Sequence, residues 1–221
     1  ATLTLAECAR AYVLTGFRWA GLGQVWVDTN AGLLLGWMGP HGLALIVSTA
    51  CIGVGQLLIL PRTPFTYLKQ LTPALGVLAL SVMASASVQE VSETGKTVRL
   101  IQPNAPQHQK WDPDHVWKFF DRQLTLSAQG PRPDLIVWPE TSVPGWLEES
   151  DALLRNVTQA ANGVPVVLGI RRSEGGRIYN SMLYLDETGT QAGVYDKSHL
   201  VPFGEYVPFG NLLARFGIYG F

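Results

Sequence analysis

Apolar and polar positions divide the chain into two regimes. Between residues 31 and 60 the only Asp, Glu, Lys, Arg or His is His41, and residues 71–88, "LTPALGVLALSVMASASV", contain none of these. The run "GLALIVSTACIGVGQLLIL" at 42–60 is uncharged and matches the roughly 20 apolar residues a helix needs to cross hydrocarbon. It predicts a transmembrane helix. Residues 71–88, slightly shorter and containing Pro73, predict a second. Two such runs in series across a short connector argue against a signal peptide, and core helices of soluble proteins rarely run so long without a polar face. The connector "PRTPFTYLKQ" carries Arg62 and Lys69 and no acid, whereas the chain beyond the second run opens with "QEVSETGK". Positive charge in short loops marks the cytoplasmic side. The chain after Gln89 is therefore expected on the opposite face, which in a bacterium is the periplasm. The first segment, "AYVLTGFRWAGLGQVWVD", is apolar and aromatic but interrupted by Arg18 and several glycines, and reads as an interfacial or re-entrant arm.

After Gln89 the pattern shortens and alternates. "TVRLIQP" (97–103) predicts a strand, and "DPDHVWKFFDRQLTLSAQ" (112–129) a helix with Asp112 as N-cap and Pro113 at its first position. "DLIVWP" predicts a second strand, "GWLEESDALLRNVTQAAN" a second helical region and "VPVVLGIRR" a third strand. "RIYNSMLYLDETGTQAGVYDK" predicts two more around a turn at 186–190 that contains Gly189. This order argues for an α/β domain, helices packed on a sheet with a parallel portion, preceded by a membrane region at 1–88.

Charge and cysteine content narrow the function. A net charge of −1, with no stripe of Lys and Arg, gives nucleic acid nothing to bind. The two cysteines, Cys8 and Cys51, are far apart in the apolar half and suggest neither a disulfide framework nor a CxxC site. The four histidines lack ligand spacing, so neither a metal nor another cofactor is expected. The chain opens at Ala1 rather than Met and stops at Phe221 after an aromatic stretch, and it reads as a fragment.

Two stretches carry candidate chemistry. In "DLIVWPETSV" (134–143) an apolar strand ends in a lone carboxylate, Glu140, at the strand end where α/β sheets collect functional groups. Shielding by Trp138 would raise its pKa toward the range of a general base. A Glu capping the next helix or pairing with an Arg would look the same. In "VYDKSHLVPFGEYVPFG" (194–210) a probable strand leads into a loop with Lys197, His199 and Glu205. An ammonium beside a carboxylate can stabilise an oxyanion during acyl transfer, although a solvated surface Lys fits the same letters. "YNS" at 179–181 reads as holding a turn or loop by side-chain hydrogen bonds.

Together, "IVWPE" (136–140) and "YDKSHL" (195–200) resemble the Glu and Lys motifs of the nitrilase superfamily. The extension "HLVPFGEYVP" behind membrane spans, with "VLTGFRW" and "QPNAPQHQKWD", is similar to that superfamily's membrane-bound branch, the apolipoprotein N-acyltransferase family. The resemblance implies a nitrilase-like αββα sandwich, of which this chain holds the first part, and a Glu, Lys, Cys site in a multi-pass protein of the bacterial inner membrane. A cysteine thiol would take an acyl chain from a phospholipid and pass it to the amine of a diacylglyceryl-cysteine lipoprotein. Glu140 would be the base, Lys197 the oxyanion partner and Glu205 a second essential carboxylate. Trp111, Trp138, Tyr195 and His199 would lie on the substrate side, His199 more through a hydrogen bond than as a proton carrier. The family's cysteine follows the Lys motif by several tens of residues, and neither Cys8 nor Cys51 matches it. Arg18 stands where the family's arm has a Pro. A soluble nitrilase-type amidase and a non-catalytic membrane-anchored lipoprotein-binding module are the competing readings.

Overall fold

The computed structural model describes residues 2–59, 63–87, 92–202, 205–213 and 215. Its contacts form two compact units, Ala1–Val91 with His199–Phe221, and Ser92–Ser198.

In the first unit, α1 (Thr2–Tyr12) leads through 3-10 turns to α2 (Leu35–Gln56) and α3 (Pro64–Ala86). The span ending in α2 covers Asn30–Gln56 and the second Pro64–Ala86; both are long and apolar enough to cross a membrane. α3 begins earlier than the apolar run suggests, because Thr63 Oγ1 accepts a hydrogen bond from the Thr66 N–H and Pro64 fills the first turn. Residues 64–70, expected in the connector, are therefore helical. Arg62, Leu60 and residues 88–91 lie outside the described residues. α2 and α3 meet around Leu34, Leu43 and Ala84, yet Leu75, Leu78, Val82 and Met83 remain more than half exposed. In the arm, the Arg10 guanidinium donates to the carbonyls of Phe17 (2.9 Å) and Trp19 (2.7 Å), and the Leu22 N–H donates to buried Glu7 (2.9 Å). The Tyr206 hydroxyl donates to the Leu14 carbonyl at 2.5 Å.

The second unit is a five-stranded mixed sheet in sequence order, β1 (Val98–Leu100), β2 (Leu135–Val137), β3 (Val166–Glu174), β4 (Arg177–Leu185) and β5 (Gln191–Asp196). β1, β2 and β3 run parallel, joined through α4 (Val116–Ala128) and α5 (Asp151–Ala161), while β3, β4 and β5 are antiparallel. Side chains alternate along each strand. Ile136, Val166, Leu168, Ile170, Leu183 and Leu185 go to one face and are buried with Phe120, Leu154 and Val157 of the two helices. The other face carries Arg171, Asn180 and Met182. The turn at 186–190 forms as expected, with the Asp186 carboxylate accepting from the N–H groups of Thr188 and Thr190. α4 starts at Val116 rather than at Pro113. Asp112 does cap the approach to it, accepting from the Asp114 N–H through Oδ1 and from the Val116 N–H through its carbonyl.

Candidate active site

Glu140 sits just beyond the carboxyl end of β2, where the backbone turns sharply through the left-handed conformation of Thr141 (φ +48°). Gly169 of β3 makes this turn possible. A Cβ there would lie 2.3 Å from the Thr141 nitrogen and 2.7 Å from the Glu140 Cα, closer than any real side chain packs. The Gly169 carbonyl accepts from the Ser142 N–H at 2.8 Å, closing the turn against the sheet.

Lys197 follows β5. Its N–H donates to the Asn180 carbonyl at 2.8 Å, and its ammonium lies 3.1 Å from Glu140 Oε1. The residue before it is locked to the opposite face of the sheet. Asp196 accepts both arms of the Arg172 guanidinium (2.7 and 2.5 Å) and the Ser181 hydroxyl (2.7 Å). The Arg172 and Ser181 bonds hold the Asp196 carboxyl down to about 2, against a smaller upward push from burial. With Asp196 fixed on one side, strand alternation sends Lys197 to the other. The Asn180 amide donates to the same Glu140 oxygen that Lys197 meets. Lys110 adds a second cation, its ammonium donating to the Glu140 backbone carbonyl at 2.9 Å.

These partners decide the charge of Glu140. Burial raises its pKa, but hydrogen bonds from Lys197 and Asn180 and the charges of Lys197 and Lys110 together outweigh burial and hold it below the ordinary glutamate value. The shielding by Trp138 expected from the sequence is not what sets it. Trp138 is 3% exposed, with its ring edge-on to Phe120 and its indole N–H donating to Ser127 Oγ at 2.8 Å. Burial also lowers the pKa of Lys110, with Glu140 pulling the other way.

Glu140, Lys197, Asn180, Met182 and Tyr195 line an open cleft of about 370 Å³. Tyr195 is 57% exposed, its hydroxyl 3.3 Å from Ser198 Oγ. Trp111 lies beneath the Arg171 guanidinium, 4.5 Å from the ring centre. His199 and Glu205 belong to the other unit. His199 is exposed, and Glu205 accepts the Val201 N–H at 2.9 Å. Much of the aromatic tail, including Phe203, Gly204 and residues 216–221, lies outside the described residues. Among the described residues no three His, Cys, Asp or Glu side chains gather as a metal site would need.

Asn180, Lys110 and Gly169 are the site residues that sequence reasoning missed. "YNS" forms no turn. Asn180 lies within β4, opposite Arg171, with its amide on Glu140.

A carboxylate and an ammonium brought together at strand ends define an α/β domain of the carbon-nitrogen hydrolase type. The family model for carbon-nitrogen hydrolases matches residues 97–217, and the chain belongs to that family. It is 34% identical over 234 residues to an apolipoprotein N-acyltransferase of Allorhizobium ampelinum, covering 97% of this chain and 43% of that protein. The corresponding Brucella suis protein is 33% identical over the same shares, and that of Photobacterium profundum 31% identical over 95% of this chain and 42% of its own length. The chain thus spans less than half the length of these curated relatives. Among solved structures, an amidase from Nesterenkonia sp. aligns with 55% of this chain and 51% of its own at 21% identity and a TM-score of 0.36, too low to add to the family match.

Proposed function

We propose that the chain is part of a bacterial inner-membrane N-acyltransferase that moves an acyl chain from a phospholipid to the N-terminal amine of a diacylglyceryl-cysteine lipoprotein. The observation that carries this reading is the Glu140–Lys197 pair, held at 3.1 Å in a cleft, together with the likeness to apolipoprotein N-acyltransferases across 97% of the chain. The soluble amidase fits less well, because α2 and α3 turn apolar side chains outward, as a lipid-facing helix does.

In this mechanism Glu140 takes the proton of a cysteine thiol, and the thiolate adds to the ester carbonyl of the phospholipid. Lys197 swings from Glu140 to the oxyanion. That move also removes the strongest downward pull on Glu140, so the carboxylate becomes a better base as the proton arrives. The tetrahedral adduct collapses with cleavage of the carbon–oxygen bond, and the proton passes from Glu140 to the departing lysophospholipid alkoxide. The lipoprotein amine then attacks the thioester, Glu140 accepts its proton, and the thiolate leaves. A two-step route of this kind suits two bulky substrates that share one cleft. Residues 92–198 hold no cysteine, and neither Cys8 nor Cys51 matches the family's motif, so the attack is assigned to a thiol elsewhere in the full natural protein, and residues 1–221 alone are expected to show no turnover. Glu205 is assigned as a second required carboxylate, and Tyr195, Trp111 and His199 as substrate-side residues, whereas the Trp138 ring, expected there from the sequence, packs in the core against Phe120 and Ser127 instead.

The test is acyl-enzyme formation in the full natural protein from a labelled phospholipid. Glu140→Gln and Lys197→Ala should each reduce it by about 10²-fold or more. Wild-type thioester levels in either variant would remove that residue from the mechanism.

A further inference from the structure

One strand pair from Asn180, on the same face of the sheet, Arg171 is clamped between two indole rings. Its guanidinium lies 4.5 Å from the centre of Trp111 and 4.8 Å from that of Trp146. Residue Trp146 also bridges the strand at Arg171 through its backbone. Among the described residues the side chain has no acceptor. Its Nε is shielded from solvent without a hydrogen-bond partner, and no carboxylate among the described residues pairs with it. Neighbouring Arg172 shows the contrast, forking onto Asp196 and reaching Glu174. Arg99, Arg122 and Arg132 each donate to backbone carbonyls.

A shielded N–H without an acceptor is costly, the more so on a charged group, and stacking on indoles satisfies the faces of a guanidinium but not its edge. Unlike Nε, the two terminal nitrogens are not shielded in this way, and their edge is a planar fork of donors that suits an oxyanion taken up two bonds at a time. Direct register with Asn180 places the Arg171 Cα within about 5 Å of the Asn180 Cα, and Asn180 bonds to Glu140. Lys110 ties the Trp111 loop to the Glu140 carbonyl, so clamp and carboxylate are braced by one loop.

We propose that Arg171, in its Trp111–Trp146 clamp, is the binding site for the phosphate of the phospholipid acyl donor. This rests on the acyl-transfer reading above, since in a glycerophospholipid the phosphate lies a few bonds from the ester that Glu140 and Lys197 would address. Held there, the headgroup sets how far the ester reaches into the cleft.

The experiment is calorimetric titration of the full natural protein in uncharged detergent with dihexanoylphosphatidylglycerol, dihexanoylglycerol and inorganic phosphate. Arg171→Gln should weaken the phospholipid by about tenfold or more, as loss of a charge-assisted bidentate contact implies. Arg171→Lys, which keeps the charge and loses the fork, should weaken it less. Neither variant should change the affinity for dihexanoylglycerol. Phospholipid affinity unchanged in Arg171→Gln overturns the inference and leaves acyl transfer standing. Equal loss of phospholipid and dihexanoylglycerol in both variants assigns Arg171 to loop packing and overturns it too. Inorganic phosphate bound as tightly as the phospholipid would mark a free-anion site instead. Wild-type protein that binds neither lipid would remove the acyl-donor reading itself, and this inference with it.

Discussion

Lys197 and Glu140, 57 residues apart in sequence, meet with the ammonium 3.1 Å from Oε1 of the carboxylate. With 60% of the Glu140 side chain exposed, an ion pair of this kind adds about 1 kcal/mol or less to stability. The fold nevertheless invests a strained turn at Thr141, a glycine beneath it, an amide from Asn180 and a forked anchor at Asp196 in holding it. That disproportion between structural effort and stability is what the proposed acyl-transfer role of the pair would require.

Asn180 is one of the groups that lower the Glu140 pKa. Hydrogen bonds from Lys197 and Asn180 are what overcome the upward push of burial, so Asn180→Leu should raise the Glu140 pKa. A carboxyl with a lowered native pKa lends stability that is present above its unfolded value and lost as pH falls through the native one. The variant should move that loss to higher pH. In the full natural protein the acid limb of the activity profile should shift the same way, with a rate loss of up to about 10²-fold from misplacement of the proposed base. Carboxyl NMR of Glu140 reads the first effect directly; an unmoved titration would show that the amide merely fills space.

Gly169 offers a test by packing. An added methyl would press on the backbone of Pro139, Glu140 and Thr141, atoms that cannot rotate away. Gly169→Ala should cost about 1–3 kcal/mol in denaturant stability and also displace Glu140 from Lys197. A variant as stable as the parent, with the Glu140 titration unchanged, would show that the turn relaxes freely.

The domain class was legible because its cues are local. Strand 135–137 is an apolar run and strand 166–174 opens with one at 166–170, and Asp186 with Gly189 announces the turn between β4 and β5. Asn180 was not legible, for a geometric reason. Counting outward from that turn pairs Leu185 with Gln191, and an unbroken ladder would set Tyr179 opposite Lys197. An irregularity in the ladder, with Ala192 extra on β5, shifts the register so that Ser181 faces Asp196 and Asn180 comes level with Lys197. One residue of slip exchanges the faces of a strand, and no letter in "GTQAGV" declares it. The pKa of Glu140 was misjudged for a related reason. Trp138 was near in sequence, whereas the groups that decide the charge, Asn180, Lys197 and Lys110, come from three distant segments.

Asp196 carries a pH signature of its own. Its carboxyl is held at about 2 by Arg172 and Ser181, against an ordinary value of 3.8. Its contribution is full above 3.8 and fades as pH falls toward 2. Denaturant midpoints measured from pH 5 to about pH 2 should therefore decline in the parent protein and decline less in Asp196→Asn. The same substitution should loosen the end of β5 and with it the aim of Lys197. An identical acid profile in both proteins would separate Asp196 from the stability of the strand.

The last prediction concerns which side of the membrane holds the cleft. α2 and α3 are each long enough to cross hydrocarbon, and the segment between them carries Arg62, with Lys69 in the first turns of α3, and no acid. Cationic short loops stay in the cytoplasm because moving them across is opposed. Two crossings joined by such a loop would place Ser92, and the sheet that begins at Val98, in the periplasm. With Cys8 and Cys51 changed to Ser, a cysteine at Ser92 should react with a membrane-impermeant maleimide on intact spheroplasts, and one at Thr66 only after lysis. The reverse pattern would put Glu140 and Lys197 on the cytoplasmic side, away from exported lipoproteins, and would overturn both the orientation and the acceptor proposed here.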